Sequence, residues 1–141
     1  MTKKFDDLYE ITKQHRAVLQ LENMVYYFAR KLSSGEYNSG MWESKEVKIN
    51  DDESFWYFEL QDNKTWTLCS ENIQDDVKIS TKCLSALSWM FAVNYILSSI
   101  YEDKECEKLT EELTELYYKL RDKIGSILDE NETKIFYRAI D

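Results

Sequence analysis

The chain has 141 residues, 43% hydrophobic and 14% aromatic, which is enough apolar material for the core of one ordinary domain and too much for a disordered segment. Its 27 acidic and 18 basic side chains leave a net charge of −9. That is the wrong sign for a general DNA or RNA binder, or for a protein held on an anionic membrane surface.

The amino terminus has Lys3, Lys4, Asp6 and Asp7 with no apolar run behind them, so no signal peptide is read there and the expected compartment is the cytoplasm. From 11 to 32, Val18, Leu21, Met24, Val25, Phe28, Ala29 and Leu32 recur at three- and four-residue steps, which predicts an amphipathic helix. Ser33, Ser34 and Gly35 supply its stop.

The pattern then changes to short runs of aromatic and β-branched residues, predicting strands at 41–49, 55–60, 65–69 and 77–79. The polar clusters at 50–54 and 61–64 are short enough for hairpin loops, so consecutive strands are expected to pair antiparallel in one meander. Phe55, Trp56, Tyr57 and Phe58 are consecutive aromatics on one strand. Alternation puts two on each face, and if helices cover only one face the other presents aromatics to a partner.

Ser80 or Thr81 is placed to cap a helix whose apolar face contains Cys83, Leu84, Leu87, Met90, Phe91 and Tyr95. The apolar stretch 84–100 is interrupted by Ser85, Ser88, Asn94 and Ser98, so it reads as a buried helix and not as a membrane span. Leu109, Leu113, Leu116, Leu120, Ile124 and Leu128 trace a further amphipathic face, locally weakened by Gly125, and a last helix is expected over 130–139. Proline is absent and glycine occurs three times, which leaves no linker signature. The expected architecture is therefore one α+β domain over 1–141: a small antiparallel sheet of three or four strands packed against N-terminal, central and C-terminal helices.

Little in the chain resembles catalytic machinery. Cys69, Cys83 and Cys106 are widely spaced and His15 is the sole histidine, so neither a disulfide framework nor a metal site is expected, and no cofactor motif is present. A small enzyme would have to use His15 with a carboxylate. Adjacent acids such as Glu111 with Glu112, or Asp75 with Asp76, point in different directions and read as solvated faces. The acids after residue 100 suggest a phosphate mimic by composition. They are interleaved with Lys104, Lys108, Lys119, Arg121 and Lys123, a pattern that suits helix pairs such as Glu115 with Lys119.

Three segments together resemble the ArdB/KlcA antirestriction family. They are Gly35-Glu36-Tyr37-Asn38-Ser39-Gly40-Met41-Trp42-Glu43 after a helix, Ile79-Ser80-Thr81 leading into the central helix, and Tyr117-Tyr118-Lys119-Leu120-Arg121-Asp122 with the final Ile135-Phe136-Tyr137-Arg138-Ala139-Ile140-Asp141. Two segments depart from the family pattern. Lys82 and Ser85 stand where an acidic residue and a glycine are usual, and Phe55 to Phe58 replace a glycine-led aromatic strand.

The resemblance implies a cytoplasmic protein of mobile elements, plasmids or phages, that relieves type I restriction of unmodified DNA. In that picture it binds a protein component of the host defence system, without catalysis, cofactor, metal or direct nucleic-acid binding. It also differs from the elongated DNA-mimicking ArdA proteins. The alternative target is another DNA-targeting defence, such as a CRISPR effector. The matched positions available for partner binding are Tyr37, Trp42, Glu43, Arg121 and Asp141. Three of them also have a structural reading: Trp42 as core, Tyr37 as part of the turn, and Arg121 as a bridge to Glu115, Asp122 or the terminal carboxylates.

Overall fold

The computed structural model describes residues 5–141. Among them are five α-helices and four strands: α1 Phe5–Thr12, α2 His15–Leu32, β1 Trp42–Lys48, β2 Ser54–Leu60, β3 Thr65–Ser70, β4 Ile73–Ser80, α3 Thr81–Ile100, α4 Glu107–Asp122 and α5 Glu130–Ile140. The fold is α+β, as the periodicities predict.

The first predicted helix is two helices. Lys13 takes φ 59° between them, and the Thr12 hydroxyl donates to Leu8 O while accepting from Gln14 N, which closes α1. The stop after α2 is where the sequence puts it. Ser34 (φ 54°) and Gly35 (φ 81°) lie in the left-handed region, and Gly35 N–H returns to Arg30 O at 2.8 Å, satisfying an end carbonyl.

α3 is the centre of the molecule. Ser80 caps it by accepting from Cys83 N, and Glu132 of α5 accepts from both Ser80 N and Ser80 Oγ at 2.6 Å, joining the last helix to the start of the central one. From Thr81 to Val93 the helix is buried on nearly every side, with Lys82 exposed at its start, and in its last two turns Asn94, Tyr95, Ser98 and Ser99 form one solvent-facing stripe. By length and composition α3 would also cross a membrane, yet 67% of its most apolar window is buried inside the fold. The α4 helix ends at Asp122, and Gly125 sits in a separate 3-10 turn, Ile124–Ser126.

The four strands do not form one meander. They make two antiparallel ribbons, β1 with β2 and β3 with β4, with Glu43 opposite Glu59, Lys45 opposite Tyr57, and Thr67 opposite Lys78. The reason is that side chains take the amides that would join β2 to β3. Leu60 N–H donates to Ser85 Oγ at 2.9 Å, and Thr67 N–H donates to the Glu36 carboxylate at 2.7 Å. The intervening chain is fixed to Thr81, whose hydroxyl donates to Lys64 O and accepts from the Trp66 indole at 2.9 Å.

The expectation of an exposed aromatic face on β2 is corrected by burial. Phe55, Trp56, Tyr57 and Phe58 are all buried, so neither face of this strand presents its aromatics to solvent. Trp56 packs on Trp89 of α3 with centroids 5.1 Å apart and Phe58 lies against Tyr26 of α2, while α4 packs against β2 as well. Glu112 also departs from the solvated reading: it is buried, with Lys108 Nζ 3.8 Å away, whereas Glu115 and Lys119 form the expected pair at 2.8 Å.

Ser85→Ala removes the acceptor of a buried backbone amide, so it is expected to lower the unfolding free energy by about 1–3 kcal/mol, read from urea denaturation. The Thr67 amide holds the Glu36 carboxyl below its ordinary value of 4.5, with smaller contributions from Lys78, the Thr67 hydroxyl and Lys64. A depressed folded-state value contributes stability above the unfolded value and loses it as pH falls through the folded one. The melting-temperature gap between wild type and Glu36→Gln is therefore expected to be present at pH 7 and to close below pH 4.5.

Candidate functional site

The five residues singled out by motif fall into two groups. Tyr37 is buried in the turn after α2, where Ser33 Oγ accepts its backbone N–H. Its hydroxyl accepts from the Trp42 indole at 2.9 Å. Trp42, at the start of β1, is half-buried and stacks on Phe58 with centroids 5.5 Å apart, while Tyr26 tilts against it at 5.8 Å. Glu43 follows on the other face of β1, exposed, opposite the buried Glu59, whose carboxylate accepts from the Tyr57 hydroxyl. Burial, reinforced by that bond, pushes the Tyr57 phenol well above its ordinary range. Tyr37 and Trp42 are thus an aromatic joint, and Glu43 is the fully exposed member of this group.

The second group lies on α4 and at the end of α5. Arg121 is half-buried, its guanidinium 4.5 Å over the Tyr118 ring and its Nε 3.2 Å from Asp122. Its backbone carbonyl accepts from Tyr137 of α5 at 2.5 Å, tying the two helices together. Burial raises the Tyr117 phenol; Arg121 acts against the rise, and Tyr118 and Asp141 add to it. Both Arg121 and Asp141 therefore act on one phenol. Among the described residues, no hydrogen bond, ion pair or ring contact joins this group to Tyr37 and Trp42.

His15 is exposed at the first residue of α2, with Tyr9 tilted against it at 5.3 Å. Among the described residues no carboxylate pairs with it, and no cluster of metal-binding side chains occurs. The geometry does not assemble the acid-base pair that a His15 enzyme would need.

Asp141 borders a cleft of about 310 Å³ that motif reading did not find. Its walls are Phe28 and Leu32 of α2, Phe91 of α3, the hairpin residues from Cys69 to Asn72, and Ile140. Phe28 and Phe91 stack at 5.6 Å. In sequence they read as ordinary core positions at helical spacing. Both are half-buried on the cleft wall, a tertiary placement that periodicity does not encode.

No family model and no curated protein matches the sequence. A solved structure is similar over 96% of this chain and 87% of its own, with a TM-score of 0.70 at 18% identity. It is described as that of the KlcA and ArdB proteins, showing a novel fold and antirestriction activity against type I DNA restriction systems in vivo but not in vitro. The α+β arrangement built around α3 is the fold of the KlcA and ArdB antirestriction proteins.

Proposed function

We propose that this chain is an antirestriction protein of mobile elements, plasmids or phages. In this reading it works in the cytoplasm and relieves type I restriction of unmodified DNA by binding a protein component of the host defence. The observation that carries the reading is the shared fold over nearly the whole chain, with the motifs around Trp42 and Arg121 in family order. Activity of KlcA and ArdB in vivo but not in vitro supports an action that depends on something supplied by the cell.

The charge distribution supports protein binding over DNA mimicry. Basic residues alternate with the acids of α4, and Lys119 and Arg121 both face carboxylates, so the helix does not carry the unbroken negative rows that imitate a phosphate backbone. Glu43, Arg121 and Asp141 are the contact residues in this reading. Tyr37 and Trp42 hold the turn that presents Glu43.

The test is the plating efficiency of unmodified phage on cells with a type I restriction system, with and without this protein. A rise of several logs is expected; no rise with soluble, folded protein overturns the reading and directs the search to another DNA-targeting defence. In the same assay Glu43→Ala, Arg121→Ala and Asp141→Ala are each expected to lose at least tenfold of the gain. Unfolding free energies should stay within about 0.5 kcal/mol of wild type for Glu43→Ala and Asp141→Ala, as for surface positions, and fall by no more than about 1 kcal/mol for Arg121→Ala, which loses its contact with the Tyr118 ring. Parallel loss of stability and plating gain would identify them as structural.

A further inference from the structure

The cleft beside Asp141 has a composition that selects its occupant. Its apolar wall is built from Phe28, Leu32, Phe91 and Ile140, and the aromatic surface continues outward through Tyr95 and Tyr27, which meet Phe28 edge-on at 6.5 and 5.2 Å and are 44% and 52% exposed. On the rim, Glu71 and Asp141 outnumber the one cation, Lys31. The wall is preformed, since the Asn72 side-chain amide donates to Ala139 O at 3.1 Å and pins the end of α5 to the β3–β4 turn.

Aromatic faces and carboxylates attract the same kind of group. A guanidinium stacks on ring faces and takes carboxylates through its fork of donors, and its alkyl stem or an apolar neighbour suits the phenylalanine wall. An anionic ligand would meet two carboxylates and a chain of net charge −9. We propose that this cleft docks an arginine and an adjacent apolar side chain of the partner protein. The proposal rests on the protein-binding reading above and gives that partner its chemistry.

The experiment is an amide-resolved NMR titration of the full chain with acetyl-Phe-Arg-amide, and with acetyl-Phe-Glu-amide as the acidic counterpart. Saturable shifts are expected at Leu32, Glu71, Asn72 and Ile140, with the acidic peptide at least tenfold weaker. Cys69 lines the cleft and is exposed, while Cys83 and Cys106 are buried. N-ethylmaleimide on Cys69 is therefore expected to weaken the arginine peptide at least tenfold, and Glu71→Gln to weaken it severalfold.

Equal binding of the two peptides, shifts centred elsewhere, no saturable shift, or indifference to the Cys69 label would each overturn the proposal. The titration and the plating assay fail separately. Peptide binding without a plating gain removes the antirestriction reading and leaves the cleft, whereas a plating gain without peptide binding removes the cleft alone.

Discussion

A helix apolar over most of its circumference has to be wrapped, and that requirement organises this molecule. From Thr81 to Val93 the buried side chains point in nearly all directions, so water has to be kept from most of the circumference, and only the stripe of Asn94, Tyr95, Ser98 and Ser99 opens to solvent. α2, β2, α4 and α5 pack against it. The polar side chains within this helix are put to use. Ser88 returns its hydroxyl to Leu84 O, Ser85 receives the Leu60 amide, and Thr81 holds the chain between β2 and β3. The residue that departs from the family pattern at 85 is thus a working acceptor, and it places the end of β2 against the helix.

Most local structure was legible because it is dictated locally. Ser80 caps α3, the Ser33-Ser34-Gly35 stop closes α2, and the apolar spacing of α2 and α4 gave their buried faces, since each depends on residues within a turn or two. The pairing of strands was not legible. The segment 61–64 has the length and polarity of a hairpin loop, and nothing within it records that the amides on either side are taken by Ser85 and Glu36, residues distant in sequence. The all-aromatic run on β2 was ambiguous for the same reason: it shows that two faces carry rings, but not that both are buried.

The candidate site was legible in part and for uneven reasons. Trp42 and Glu43 alternate on a strand, so one packs inward and the other faces water, a distinction the β period carries by itself. The tie between Arg121 and the last helix, made by the Tyr137 hydroxyl on the Arg121 carbonyl, depends on how α4 and α5 meet, a tertiary fact. The cleft beside Asp141 depends on three separate elements ending at one place, and no window of sequence contains it. Its walls are the same residue types that build the core, which is why they read as core.

The Glu36 carboxylate seated on the Thr67 amide has a consequence for how copies of the protein behave in company. β3 would otherwise offer a row of unpaired donors along its outer side, a template for strand addition by any extended chain. A carboxylate on that amide occupies the donor and sets a negative charge where an incoming strand would lie. Lys78, whose ammonium donates to the Thr67 hydroxyl, adds a second charged head at the same edge. A used donor with charged heads beside it is the arrangement that discourages strand addition at an exposed sheet edge.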